Sequence, residues 1–150
     1  MSPARFVASF AGAGLLPRAP GSWGSAAALL PGAALLWLGP LALLGGVLGV
    51  AAIGLWAIRA AGATDDPGWV VIDEVAGQWI ALLALPHPSW LGTLAAFAAF
   101  RLFDVAKVGP VGWAERLPGA LGVMADDVVA GLLAAALVGG LRWAAPGILD

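Results

Sequence analysis

Long apolar stretches, separated by short polar or Gly/Pro-containing breaks, dominate this sequence. Residues 19–58 contain no charged side chain, and one membrane-spanning helix needs only about 20 apolar residues. We therefore expect Gly39-Pro40 to divide this stretch into two helices, Trp23–Leu38 and Leu41–Ile58. Three more apolar segments follow, at Val70–Leu85, Trp90 to about Phe103, and Val128 to about Ala145. The pattern predicts an all-α, polytopic membrane bundle of about five transmembrane helices.

Composition strengthens this prediction. The chain is 61% hydrophobic and 11% charged, whereas soluble domains carry about 25% charged residues. We therefore expect an integral membrane protein with one membrane-embedded domain covering residues 1–150. The net charge of -2 argues against a nucleic-acid partner. The absence of Cys excludes disulfides, thiolate metal sites and a cysteine nucleophile.

Basic residues are distributed unevenly between the two ends of the predicted helices. If the N-terminus is cytoplasmic, only Arg142 falls on the outer side, as the positive-inside rule favours. The inner side then carries Arg5, Arg18, Arg59, Arg101, Lys107 and Arg116. The acidic residues that flank the last three apolar segments fall on this cytoplasmic side too. We therefore expect the reactive groups to face the cytoplasm.

Five carboxylates occur at the ends of three apolar segments. Asp73 and Glu74 lie near the start of the third, Asp104 ends the fourth, and Asp126 and Asp127 precede the fifth. An acid in an apolar helix costs about 2.5–3.5 kcal/mol at the bilayer centre and less near the interface. Arg101 and Lys107 offset at most two of the five charges. Clustered oxygen ligands suit Mg²⁺, which we expect these acids to hold.

The spacing of small residues indicates that two of the acid-bearing helices meet. Asp73, Gly77 and Ala81 share one helical face, and Asp127, Gly131 and Ala135 share another. Each acid therefore heads a stripe of small residues, along which helices can approach closely. This pattern predicts one shared site for the third and fifth apolar segments.

Simpler interpretations of these residues remain open. Asp126-Asp127 is also typical of a helix N-cap, as is Asp65-Asp66. Arg101 and Asp104 have the spacing of a local ion pair. His87 lies between two prolines and is typical of a turn residue.

A Gly/Ser-rich segment opens the first apolar stretch. Exposed amides and hydroxyls at a helix N-terminus can bind an anion, and the nearby Arg18 favours a phosphate group. The candidate substrate-binding residues are Arg18, Gly21, Ser22, Gly24 and Ser25. An ordinary N-cap would explain the same segment.

Four blocks, taken together and in order, resemble the phosphatidylglycerophosphatase A family. They are residues 14–25, 71–77, 100–107 and 119–131, and they extend over most of the chain. The resemblance implies a Mg²⁺-dependent phosphatase of the cell inner membrane. Such enzymes remove the terminal phosphate of phosphatidylglycerophosphate and leave phosphatidylglycerol.

The resemblance also suggests roles for the candidate residues. The acids would hold the metal, one of them acting as base on the attacking water, while Arg101 and Lys107 would neutralise the phosphoryl oxygens. The number of metal ions, the identity of the base and the oligomeric state are left open. The expected metal ligands are Asp73, Glu74, Asp104, Asp126 and Asp127.

Two other membrane-protein classes deserve comparison. A small cation transporter or channel could use the same acids, but it would need polar residues continuing through Ile80–Leu85 and Leu132–Leu137, where there are none. A CDP-alcohol phosphotransferase is also acid-rich, but its Asp-x-x-Asp-Gly-x-x-Ala-Arg run is missing. A lipid phosphatase is therefore the favoured prediction.

Overall fold

A computed structural model describes residues 1–149, and these form seven α-helices, one short 3₁₀ helix (Ala13–Leu15) and no strand. The prediction of an all-α fold is confirmed. The helices are α1 (Pro3–Ala8), α2 (Pro20–Leu38), α3 (Pro40–Ala60), α4 (Ile72–Leu82), α5 (Trp90–Ala106), α6 (Pro110–Ala114) and α7 (Ala120–Ala144).

Three of these helices, α2, α3 and α7, are long and apolar enough to cross a membrane. The 11 residues of α4 extend over only about 16 Å, and the 17 residues of α5 over about 25 Å. The hydrocarbon core of a bilayer is about 30 Å thick. The structure thus supports three spans, while the count of five and the cytoplasmic N-terminus stay predictions.

Helices α2 and α3 direct large apolar side chains outward. Leu30 and Leu41 are each 82% exposed, and Trp37 is 77% exposed. Contiguous apolar surface of this kind is disfavoured in water. Lipid contact therefore accounts for the outer face of these two helices.

The largest departure from the predicted boundaries is at the start of α7. This helix begins at Ala120 rather than Val128, directly after Gly119, whose φ of 63° suits glycine. Between the fourth and fifth predicted apolar segments the sequence predicts a Gly/Pro-broken loop at residues 105–125. Much of it is instead helical, since it contains the end of α5, all of α6 and the first turns of α7. Asp126 and Asp127 lie in the second turn of α7, so the N-cap interpretation of this pair is wrong.

Helix α4 begins at Ile72, and its N-cap is Val71 rather than Asp66. The backbone N–H of Val71 donates a hydrogen bond to the carbonyl of Ala8 (2.9 Å), which ties α1 to the start of α4. Asp66 lies in the preceding loop with a φ of 50°. Asp73 and Glu74 consequently occupy the first turn of α4.

The short helix α4 is the centre of the bundle, with ten of its eleven residues buried. It packs against α2, α3, α5 and α7. Its contact with α7 is made at two glycines: a Cβ on Gly131 would lie 2.9 Å from the Cα of Gly77. A Cβ on Gly77 would in turn meet the Phe100 ring and the carbonyl oxygen of Asp127. The predicted contact between the two small-residue stripes is confirmed.

The chemically distinctive residues lie at one end of the bundle. There Lys107 contacts Asp126, and Gly21 lies beside Glu74. At the other end, Arg142 Nη1 donates a hydrogen bond to the carbonyl of Ala84 (2.8 Å). The topology therefore gathers the starts of α2, α4 and α7 and the end of α5 at one surface.

The close contact between Gly77 and Gly131 predicts how a substitution there affects stability. We expect Gly131→Ala to lower the free energy of unfolding by about 1–3 kcal/mol, because the added methyl group overpacks the α4–α7 contact. Gly139→Ala is the matched control on α7, since its Cβ would meet no described atom within 4 Å. It should be neutral or stabilising by up to about 1 kcal/mol. Unfolding of both variants in detergent micelles measures the difference, and equal stability would contradict the close contact.

Candidate functional site

Three carboxylates from two helices converge at this end of the bundle. Asp73 and Glu74 come from the first turn of α4, and Asp127 comes from α7. One oxygen of each lies within 4.8 Å of the others. Asp73 is 4% exposed and Asp127 is 3% exposed. We call Asp73, Glu74 and Asp127 the carboxylate cluster.

One oxygen of each acid in the carboxylate cluster lacks a hydrogen-bond partner among the described residues. Asp73 Oδ1, Glu74 Oε2 and Asp127 Oδ1 are buried and accept no hydrogen bond from any residue in the range 1–149. The positive end of the α4 dipole favours first-turn acids by about 0.3–1 kcal/mol each. Burial of an ionised carboxylate costs several kcal/mol. The helix dipole therefore offsets only part of the cost, and the cluster requires positive charge or protons.

The other two predicted acids have basic partners. Asp104 forms an ion pair with Arg101 one helical turn earlier, as the local-pair interpretation expected. Asp126 pairs with Lys107, whose Nζ also lies 3.4 Å from Glu115. The structure thus brings together three of the five acids and pairs the other two. Their joint assignment as metal ligands stays a prediction.

The environment of Lys107 keeps it cationic. Burial by itself would lower the pKa of this ammonium group, but the hydrogen bond and charge of Asp126, together with Glu115, outweigh burial and raise the pKa above its ordinary value. Lys107 therefore supplies a fixed positive charge beside the carboxylate cluster throughout the neutral pH range.

The predicted substrate-binding residues divide into three groups. Gly21 lies against Glu74 and Arg101, and a Cβ there would be 3.2 Å from Arg101 Nη1. Ser25 is buried; its hydroxyl donates to the Gly21 carbonyl (2.8 Å) and lies 3.5 Å from Arg101 Nη1. Gly24 instead packs on the Val71 side chain. Arg18 and Ser22 line a groove outside the cluster.

The donor set of the cluster fits a small divalent cation. Mg²⁺ binds oxygens at about 2.0–2.1 Å in an octahedron, so its ligand oxygens lie roughly 3–4 Å apart. The three carboxylate oxygens come close to this spacing, and small side-chain rotations would complete the approach. Only carboxylate oxygens are offered, which suits Mg²⁺ or Mn²⁺.

Gln78 belongs to this region and was missed as a site residue. It is completely buried, and neither amide atom has a hydrogen-bond partner among the residues described. Gln78 follows Glu74 by four positions, so both side chains leave the same face of α4. The available signal was a lone amide in an otherwise apolar helical run.

The sequence of this chain is similar to that of known proteins. The family model described as phosphatidylglycerophosphatase A matches residues 6–142. Phosphatidylglycerophosphatase A of Haemophilus influenzae is 36% identical, over 95% of this chain and 91% of that protein. The Escherichia coli protein of the same name is also 36% identical, over 91% of this chain and 82% of its own length.

A further relative has a different printed name. A putative phosphatidylinositol-3-phosphatase of Bacteroides thetaiotaomicron is 40% identical, over 88% of this chain and 89% of that protein. No solved structure matches the chain.

The buried amide of Gln78, which has no hydrogen-bond partner among the described residues, leads to a second prediction about stability. We expect Gln78→Met to raise the free energy of unfolding by about 1–2 kcal/mol, because it removes buried polar atoms that lack partners. Leu82→Met, one turn further along the same face and also buried, should change stability by less than about 1.5 kcal/mol. Chemical unfolding in detergent measures both variants. A loss of stability in Gln78→Met would show that the amide is satisfied in the folded protein.

Proposed function

The chain belongs to the phosphatidylglycerophosphatase A family and is a phosphatase, and we propose that it hydrolyses the terminal phosphomonoester of phosphatidylglycerophosphate. The products are phosphatidylglycerol and inorganic phosphate. We propose further that Mg²⁺ is the cofactor and that Asp73, Glu74 and Asp127 hold it.

One observation carries the proposal for the site. Asp73, Glu74 and Asp127 each have one buried oxygen without a hydrogen-bond partner among residues 1–149. Each also offers an oxygen within 4.8 Å of the others, at the end of the bundle where Gly21 and Arg101 lie. Like charges at this spacing repel unless a cation or protons intervene. A phosphate-binding function then follows, because the cation and Arg101 together attract a dianionic phosphoryl group.

The residues around the cluster would act on the phosphate in distinct ways. Asp73, Glu74 and Asp127 would hold the divalent cation, which would supply positive charge to the phosphoryl oxygens and lower the pKa of a nearby water molecule. Arg101 stabilises the negative charge that develops on phosphorus-bound oxygen. Lys107 holds Asp126 in place and adds to the positive potential. A carboxylate at the site accepts a proton from the attacking water as the phosphorus–ester oxygen bond breaks. The same proton then passes to the departing alkoxide, which becomes a glycerol hydroxyl.

The location of the site suits a lipid substrate. The cluster lies at the end of the bundle where α2 and α7, both long enough to cross the bilayer, begin. We place this end at the cytoplasmic surface of the cell inner membrane, because it carries most of the basic residues. The polar headgroup would then reach the cluster while the acyl chains stay in the bilayer.

A transport function is less well supported. A cation pathway would need polar groups between the cluster and the opposite end of the bundle. Beyond Gln78 and Asp127, the buried residues of α4 and α7 are apolar apart from the indole N–H of Trp79, which donates to the Ala28 carbonyl (2.8 Å). The polar region is therefore closed on one side, as expected for an enzyme.

The proposal predicts Mg²⁺-dependent phosphate release. Purified protein in mixed micelles should hydrolyse phosphatidylglycerophosphate, and removal of divalent cations with EDTA should abolish turnover. Asp73→Asn and Asp127→Asn should each lower kcat/KM by at least about 100-fold, since even indirect metal contacts are worth 10- to 100-fold. Phosphate release measured against Mg²⁺ concentration gives both results.

Two controls sharpen this assay. Asp65→Asn removes an exposed carboxylate outside the cluster and should leave turnover unchanged. Phosphatidylinositol 3-phosphate tests the substrate named by the Bacteroides relative. Preferential turnover of that lipid would contradict the proposed substrate, and undiminished activity in Asp73→Asn and Asp127→Asn would contradict the proposed site.

A further inference from the structure

An apolar groove of about 730 Å³ lies between the start of α2 and the middle of α5. Its volume is within the range of about 300–1,000 Å³ that is usual for small-molecule sites. The apolar walls are formed by Pro17, Ala19, Trp23, Ala26 and Phe97. We call it the α2–α5 groove.

Within residues 1–149, Arg18 is the one charged residue that lines the groove. It is exposed, and no acidic side chain among residues 1–149 pairs with it. Arg18 and Ala19 both have left-handed backbone conformations, with φ values of 62° and 49°. Such conformations cost about 1 kcal/mol or more in residues other than glycine. Because Arg18 lines the groove and pairs with no acid among residues 1–149, its guanidinium is available to an anionic group.

The groove adjoins residues that contact the carboxylate cluster. Ser22 lines the groove, and its neighbour Gly21 lies against Glu74 and Arg101. On the opposite wall, Phe97 precedes Arg101 by one helical turn of α5. Along the start of α2, Arg18 comes first, then Gly21 beside Glu74 and Arg101, while Trp23 and Ala26 form the apolar wall.

We propose that the α2–α5 groove holds an acyl chain of the phospholipid substrate and that Arg18 binds the phosphodiester which joins its diacylglycerol and headgroup. This inference rests on the proposed function. The chemical groups of phosphatidylglycerophosphate follow one another in the same order as the cluster, Arg18 and the apolar walls of the groove. Its terminal phosphomonoester would lie at the cluster, its phosphodiester at Arg18, and its acyl chain against Trp23, Ala26 and Phe97. Charge complementarity therefore orients the lipid with its scissile end inward.

Kinetics test the two parts of the groove separately. Ala26→Trp fills the groove. We expect it to lower, by about tenfold, the ratio of kcat/KM for dioleoyl phosphatidylglycerophosphate to kcat/KM for the deacylated headgroup. Ala27→Trp makes the same change at the adjacent exposed position and should leave this ratio at its wild-type value.

Arg18→Gln tests the phosphodiester contact. It should lower the preference for phosphatidylglycerophosphate over phosphatidic acid, which has no phosphodiester, by about tenfold. Arg116→Gln, at an exposed position off the groove, should not.

Photo-crosslinking tests binding independently of turnover and of the folding of any variant. Wild-type protein in phosphatidylcholine vesicles is labelled with phosphatidylglycerol that bears a diazirine in one acyl chain. We expect labels on Trp23, Ala26 or Phe97 that excess unlabelled phosphatidylglycerol displaces at least tenfold better than excess phosphatidylcholine. Labels on the outer residues Leu30 and Trp37 should be displaced equally by both lipids.

Each outcome is informative. Groove labels that both lipids displace equally, or unchanged kinetic ratios in Ala26→Trp and Arg18→Gln, would overturn the groove assignment while leaving the proposed function intact. Absence of turnover by the wild-type protein would overturn the proposed function, and the crosslinking result would still decide whether the groove binds anionic lipid.

Discussion

The need to hold three carboxylates together in an apolar bundle governs this structure. Asp73, Glu74 and Asp127 lie close together with buried oxygens that no hydrogen bond satisfies within residues 1–149. The contact between Gly77 and Gly131 imposes this proximity, because it lets the backbones of α4 and α7 meet one turn beyond the acids. The tight helix contact and the charge cluster are therefore two parts of one arrangement, and the proposed cation would offset the repulsion among its three acids.

The basic residues are placed so that they do not neutralise the cluster. Arg101 pairs with Asp104, and Lys107 pairs with Asp126. These ion pairs flank the cluster and leave its three acids free for a metal. At the same end, Arg18 lines the α2–α5 groove and pairs with no acid among residues 1–149. Positive charge thus surrounds the place where a phosphate would bind, while negative charge is concentrated where a metal would bind.

The sequence was sufficient to predict the helical class, the family and the convergence of α4 with α7. The small-residue stripes Gly77–Ala81 and Gly131–Ala135 were informative, because close helix packing needs small side chains at fixed spacing. The predicted length of α4 and the predicted start of α7 were wrong, each for its own physical reason. Hydropathy does not distinguish a lipid-facing helix from one buried in protein, so α4 was expected to be longer. The polar pair Asp126-Asp127 suggested a helix start, although α7 begins at Ala120.

Other features of the site depend on tertiary structure and were not accessible from spacing. Lys107 reaches Asp126 across 19 positions, and α6 lies in the intervening chain. The apolar groove needs α2 and α5 side by side, and nothing in the pattern of residues 90–106 identifies Phe97 as one of its walls. Gln78 was visible as a lone polar residue, but only the structure shows that its amide lacks a partner among the residues described.

Binding of Mn²⁺, followed by electron paramagnetic resonance in detergent, would show whether the three acids share a cation. Mn²⁺ accepts the same oxygen ligands as Mg²⁺, and its signal changes on binding whether or not substrate is turned over. We expect Glu74→Gln and Asp127→Asn each to weaken Mn²⁺ binding by at least about tenfold. Asp126→Asn, at the adjacent position paired with Lys107, should weaken it much less. Binding to Asp127→Asn as tight as to the wild-type protein would show that the cluster is not a metal site.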